Sequence, residues 1–220
     1  EGDGYINNAF YDRDENTGDS SLISASFLWK FSDLFTAQYT FDTESSDETT
    51  PVLLNITTPT ELLCTISTTE VFPNCRRGIA NPELDSLSAT AQNYSNDNEF
   101  DGDYHTLKVQ FDFLGHQVTS ITGLRSTDES MAIDLDASNA NFYHVNREQD
   151  YKQLSQEFTA QGEYSDALSY SFGAYLLNTD YEILQQEFHI LQQLGDAGFS
   201  DGHAAGEIQE LASSQDSSLY

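Results

Sequence analysis

The sequence predicts an all-β fold, an antiparallel meander of about six long strands that separates two different solvents. Side-chain character alternates with period two over runs of nine or more residues, as expected for a sheet whose two faces differ. Nearly bare turns at Ser32-Asp33, Leu114-Gly115-His116 and Ser165-Asp166 alternate with long acidic connections. Short turns on one side and long loops on the other are typical of a sheet that crosses a membrane.

Three hairpins are predicted, at about residues 20–43, 104–126 and 151–180. In each hairpin one face is apolar and rich in aromatic residues, whereas Ser, Thr, Gln and charged residues fill the other face. The apolar positions of the first hairpin are Ile23, Ala25, Phe27, Trp29, Phe31, Phe35, Ala37, Tyr39 and Phe41. The strand 117–125 is the exception, because its Thr, Ser and Ile residues leave the assignment of its faces open.

The remaining residues, about 44–103, 127–150 and 181–220, are predicted to form external loops of one partial barrel domain that spans 1–220. Within the last loop, apolar residues at spacings of four, three and three predict an amphipathic helix over Glu182–Leu194. Cys64 and Cys75 lie in the longest loop, and a disulfide between them is the natural interpretation for a chain outside the cytoplasm. Two unpaired thiols are the alternative.

The identity of the apolar residues favours a lipid-facing sheet over a soluble sandwich. A sandwich core would be dominated by Val, Ile and Leu on strands of about five or six residues. Here Phe, Tyr, Trp and Ala alternate on longer strands, and aromatic residues crowd near the three short turns as in an interfacial girdle. Lys108, Asp112, Glu157 and Glu163 on the opposite face would then point into an aqueous lumen.

Composition excludes several classes of function. The 37 acidic and eight basic residues give a net charge of −29, which argues against binding to nucleic acid. No run of about 18 apolar residues predicts a transmembrane helix. No nucleophile elbow, phosphate loop or paired-cysteine metal motif occurs, so the chain is predicted not to be an enzyme and to have no catalytic residue, metal site or cofactor.

Four stretches resemble the barrel of TonB-dependent outer-membrane receptors: Asp3–Asn8, Ala25–Ala37, Thr119–Asp128 and Lys152–Phe158. Each is a strand with its turn, and the four occur in order with suitable gaps along nearly the whole chain. The resemblance implies a segment of a 22-stranded transmembrane β-barrel with a plugged lumen, in the outer membrane of a Gram-negative bacterium. It also implies import of a scarce nutrient, with ferric siderophores as the default cargo and haem, cobalamin or oligosaccharides as alternatives.

The chain also departs from this family. No segment resembles the plug domain, the energy-coupling box or the terminal strand, so we expect about a quarter of such a barrel. Contact with the TonB energy-coupling complex would pass through an N-terminal part missing from this sequence, and outer-membrane lipid would be the other partner. We further expect that these strands alone do not insert as a stable barrel, because unpaired strand edges are costly in lipid.

The candidate ligand-binding residues are basic or aromatic side chains in the loops and at one strand end. Arg76, Arg77 and Arg125 would meet an anionic cargo, although a local salt bridge is the alternative for the first two. Aromatic rings and a histidine would stack on cargo at Tyr94, Phe100, Phe142, Tyr143 and His144. A rival hypothesis is a secreted calcium-binding β-sandwich module for adhesion or carbohydrate binding, which explains the acidity and the disulfide equally well.

Overall fold

The computed structural model describes residues 3–54, 89–137, 143–165, 167–189 and 208–219, with the backbone alone for 188–189 and 208–219. The strands are β1 (Ile6–Asn8), β2 (Arg13–Glu15), β3 (Gly18–Ser32), β4 (Phe35–Thr49), β5 (Ala89–Thr90), β6 (Asp97–Phe113), β7 (His116–Asp134), β8 (Tyr143–Ser165), β9 (Leu168–His189) and β10 (Ile208–Leu219). In these ranges no helix has the length and apolar character needed to cross a membrane.

A seven-stranded sheet dominates the described residues, in the order β10-β9-β8-β7-β6-β4-β3. Each neighbouring pair is antiparallel, and each strand pairs with the next long strand along the chain. The predicted all-β antiparallel meander is therefore confirmed. The seventh strand, β10, comes from a region that the sequence assigned to a loop. Within the described ranges β3 and β10 each pair along a single edge, so the sheet is open.

The long strands continue well past the predicted hairpins. Segments 44–49, 97–103, 127–134 and 143–150, which the sequence predicts as loops, extend the strands, so that β8 reaches 23 residues. The helix predicted over Glu182–Leu194 is wrong from Glu182 to His189, because these residues continue β9. Hydrogen bonding to β8 on one side and β10 on the other outweighs the weak helical periodicity. Residues 190–194 lie outside the described ranges.

The register of the sheet settles which side chains share a face. One face, here called the apolar face, aligns the row Trp29, Ala37, Val109, Ser120, Phe158 and Ala174 across six strands. The opposite, polar face aligns the row Lys30, Thr36, Gln110, Thr119, Thr159 and Gly173. The ambiguous strand 117–125 is thereby resolved, since Val118, Ser120, Thr122 and Leu124 lie on the apolar face.

The apolar face of this sheet is exposed rather than packed against a second sheet. Phe27, Phe111 and Phe172 are 54%, 43% and 67% exposed. The buried apolar residues in the described part of the chain lie away from the short turns: Ile6, Ala89, Ala91, Ala137 and Val145. A β-sandwich would bury the large aromatic side chains and leave the strand ends exposed. The described residues form the reverse arrangement.

A smaller three-stranded sheet, β2-β1-β5, lies beside the ends of β7 and β8 that are remote from the short turns. We call residues 5–16 and 89–96 the outer cap. Its backbone is joined to the large sheet where Thr50 N–H donates to Asn96 O at 2.6 Å. A second connection is made by the Gln92 side chain, whose Nε2 donates to Asp134 O at 3.1 Å.

Candidate functional site: an arginine clamp on the polar face

The apolar face carries a band bounded by two hydrogen-bonded His–Tyr pairs. Near the short turns Tyr170 Oη lies 2.8 Å from His116 Nδ1, and toward the cap Tyr39 Oη lies 2.7 Å from His105 Nδ1. Phe113, which pairs with His116, is eight positions from His105 on β6, so the two His–Tyr pairs are about 26 Å apart along the strand. For strands tilted by ~40° from the membrane normal, this distance corresponds to a band about 20 Å high. The band is comparable in height with the apolar belt of outer-membrane barrels, about 25 Å.

The polar side chains inside this band hydrogen-bond to one another. Thr122 Oγ1 donates to Gln156 Oε1 at 2.7 Å, and Gln156 Nε2 donates to Ser120 Oγ at 2.9 Å. In hydrocarbon an unsatisfied polar group costs several kcal/mol, because water is absent there. The three side chains are therefore compatible with a lipid-facing surface.

On the polar face, Arg125 of β7 lies between Tyr104 of β6 and Tyr151 of β8. The guanidinium carbon is 5.4 Å from the centre of each ring, within the range of a cation–π interaction. The register explains the arrangement, because Tyr104 is directly opposite Arg125 and Tyr151 is opposite Thr127, the next residue on the same face. We call Tyr104, Arg125 and Tyr151 the arginine clamp.

Both rings of the clamp are held in place through their hydroxyl groups. Tyr104 Oη donates to Glu44 Oε1 at 2.7 Å, and Tyr151 Oη donates to Gln153 Oε1 at 2.7 Å. The Tyr104 ring also lies over Gly102, where a Cβ atom would come within 2.8 Å of Tyr104 Oη. Glycine at this position therefore lets the ring lie close to the sheet.

Arg125 is exposed, and no carboxylate of the described residues lies within ion-pair distance of it. Glu44 accepts the Tyr104 hydroxyl instead. Arg147, also on the polar face, differs because its Nη2 lies 3.2 Å from Glu129 Oε2. A guanidinium group has five N–H donors in a planar fork that suits an oxyanion. The clamp thus presents an arginine that lies between two aromatic rings and whose charge no acid among the described residues neutralises.

The structure divides the predicted ligand-binding residues between two places. Phe100 lies on the polar face of β6, four positions from Tyr104 and so about 13 Å further from the short turns. Tyr94 and His144 meet at the outer cap, where their rings stack with centroids 3.8 Å apart. Tyr143, beside His144, is the first residue of β8, and burial and the nearby Glu187 carboxylate raise the pKa of its hydroxyl.

The other predicted site residues, Arg76, Arg77, Phe142 and the cysteines Cys64 and Cys75, lie outside the described residues. Sequence reasoning missed Tyr104 and Tyr151, the two rings of the clamp. A signal was present in the sequence. Residues two apart in a strand share a face, so His105 lies on the apolar face with Leu107, and Tyr104, which is next to His105, lies on the polar face. The next positions of β6 on that face, Thr106, Lys108, Gln110 and Asp112, are polar, so an aromatic residue beside them indicates a specific contact.

The outer cap is built around Asp134 at the end of β7, which is only 1% exposed. One carboxylate oxygen accepts the backbone N–H groups of Asn93 and Tyr94 at 2.9 and 3.2 Å. The other accepts those of Asp136 and Ala137 at 3.1 and 2.9 Å. Burial and the Asp136 charge outweigh these hydrogen bonds and raise the pKa of Asp134 to about 6. In the described ranges no group of three or more His, Cys, Asp or Glu is arranged to hold a metal ion.

Comparison with known proteins gives a likeness of fold. No family model matches this chain, and no curated protein matches it. Among solved structures, the ferric yersiniabactin uptake receptor FyuA from Yersinia pestis is similar, with a TM-score of 0.54 over 99% of this chain at 9% sequence identity. The chain spans 37% of the length of that receptor. At this identity the likeness shows the all-β fold alone.

Proposed function

We propose that this chain forms part of the wall of an outer-membrane receptor of the TonB-dependent type, which imports a ferric siderophore. The observation that carries the proposal is the exposed apolar band, bounded by the His116–Tyr170 and His105–Tyr39 pairs and backed by a polar face. Such a sheet needs hydrocarbon on one side and water on the other. The fold likeness to an uptake receptor supports the same proposal.

Within the described residues, the two edges of the sheet are open, which leads to the same conclusion. In lipid every backbone N–H and C=O group has to be paired, so β3 and β10 need further strands beside them. A closed barrel of the 22-stranded type would supply these strands and enclose a lumen lined by the polar face. Transport would draw on the TonB complex of the inner membrane, as the resemblance of the sequence implies.

The rival function, a secreted calcium-binding sandwich, finds less support. A soluble module would have to cover Phe27, Phe111 and Phe172, which are exposed on one face of a single sheet in the described part of the chain. We therefore propose a membrane location rather than secretion.

Deletion of the gene in its host tests the proposed function. The protein should fractionate with the outer membrane and be extracted only by detergent. Under iron limitation the deletion strain should lose uptake of ⁵⁵Fe from at least one ferric siderophore, and a plasmid copy should restore it. Removal of the inner-membrane coupling protein should abolish the same uptake. Recovery of the protein in the aqueous phase without detergent, with unchanged iron uptake, would contradict the proposal.

A further inference from the structure

We infer that the arginine clamp binds a free carboxylate group of the ferric complex, so that the cargo belongs to the carboxylate class. This inference rests on the proposed function and goes further, because it assigns the cargo chemistry to Tyr104, Arg125 and Tyr151. It follows from two properties of the clamp: its available donors and the direction from which a ligand can approach.

The donors of Arg125 have no acidic partner within the described residues, whereas those of Arg147 are shared with Glu129. An exposed arginine in a chain of net charge −29 has many carboxylates available to it. Two neighbouring side chains instead hold the rings, since Glu44 accepts the Tyr104 hydroxyl and Gln153 accepts the Tyr151 hydroxyl. Arg125 also lies within hydrogen-bonding reach of the Tyr104 hydroxyl. Because a guanidinium group has five N–H donors, the others remain available to an oxyanion, which a bidentate hydrogen-bonded pair would bind strongly.

The rings determine how a ligand can approach. Tyr104 and Tyr151 stand on the two strands beside β7, so both lateral sides of the guanidinium group are taken. An incoming group meets the N–H edge, and a carboxylate matches that edge with two parallel hydrogen bonds. A catechol ring that stacks on a guanidinium plane would need one of the sides that the tyrosines occupy.

Uptake by variants of the full-length receptor in its native membrane tests the inference. The probes are ferric dicitrate and ferric aerobactin, which carry carboxylates that do not bind the iron, with ferrioxamine B as the hydroxamate and ferric enterobactin as the catecholate. We expect uptake of a carboxylate probe, with the half-saturating concentration raised about 10- to 100-fold in Arg125→Gln. Arg125→Lys should recover only part of this loss, because lysine keeps the charge but lacks the fork.

Arg147→Gln is the matched control, because Arg147 also lies on the polar face but is already paired with Glu129. It should leave uptake within about twofold of the wild type. Equal amounts of each variant in the outer membrane exclude a folding defect. If only ferrioxamine B or ferric enterobactin uptake depends on the protein, or if Arg125→Gln behaves like Arg147→Gln, the inference is wrong and the proposed function stands. If deletion changes uptake of no ferric complex, both are wrong.

Discussion

The outer cap and the wall of the sheet place their side chains in opposite ways. In the described part of the chain the largest fully buried side chains are all polar, and those outside the large sheet belong to the cap: Asn8, Glu15, Thr90, Gln92 and Asn96. The wall instead leaves large apolar side chains exposed, with Trp29 at 45% and Phe31 at 66%. The two regions belong to one chain, yet each would be unstable in the surroundings of the other.

Under the proposed function, this contrast reflects two solvents that act on one molecule. The cap derives stability from hydrogen bonds in which Asn8 Nδ2 donates to Glu15 Oε1 and to Gln92 O, each at 3.0 Å. Such a polar interior is compatible with a region surrounded by water. The wall has no such interior in the described residues, and its apolar band gains stability only if hydrocarbon covers it.

The largest effect should come from a charge placed in the middle of the band. Val109 lies on the apolar face, so Val109→Arg would have to expose a guanidinium group to lipid at a cost of about 2–4 kcal/mol. We expect a severe fall in the amount of folded protein in the outer membrane, measured by fractionation and heat-modifiability on gels.

Gln110→Arg supplies the control for this substitution, because Gln110 is the next residue and lies on the polar face. The same charge should be tolerated there, with folded protein close to the wild-type amount. Equal losses from the two substitutions would show that the faces do not meet different solvents.

A smaller effect concerns the cap and its dependence on pH. The pKa of Asp134 is about 6 in the folded cap against an ordinary value of 3.8, so folding of the cap takes up a proton. The stabilisation of the folded cap by protonation of Asp134 is complete below about pH 4 and is lost as the pH rises through about 6. After correction for intrinsic rates, amide exchange at Asn93 and Tyr94 should be about tenfold slower at pH 5 than at pH 7.

His144 acts in the opposite direction, because burial lowers its pKa and its protonation destabilises the folded cap at low pH. Comparison with Asp134→Asn separates the two groups. The variant should lose the protection gained at pH 5 and keep any effect of His144. Identical pH profiles for the wild type and the variant would rule out Asp134 as the group responsible.

The sequence predicted the wall better than the site. Period-two alternation over Ile23–Phe31 and Leu107–Phe113 is a local property, so it identified the strands and their apolar face. The extent of the strands was missed, because acidic residues such as Asp128 and Asp150 fit a loop as well as a strand outside the membrane. In the sheet Asp128 of β7 lies directly opposite Asp150 of β8, and this pairing depends on the register of the two strands, which no local pattern gives.

The clamp was predicted only in part for a related reason. Arg125 was noticed as a basic residue at a strand end, but its partners come from β6 and β8, which are brought together by the register. The stacking of Tyr94 on His144 likewise joins residues 50 positions apart. Cross-strand contacts of this kind depend on pairing that no local pattern encodes.

The most direct measurement of the central claim uses Trp29, the one tryptophan of this sequence, which lies on the apolar face and stacks with Phe27 at 6.1 Å between ring centroids. A full-length variant, with phenylalanine in place of any tryptophan outside this sequence, would be reconstituted in bilayers with brominated acyl chains. Its Trp29 fluorescence would be compared with that in unbrominated bilayers. We predict strong quenching by the brominated lipid and weak quenching by aqueous acrylamide. Strong quenching by acrylamide with no effect of brominated lipid would contradict the account.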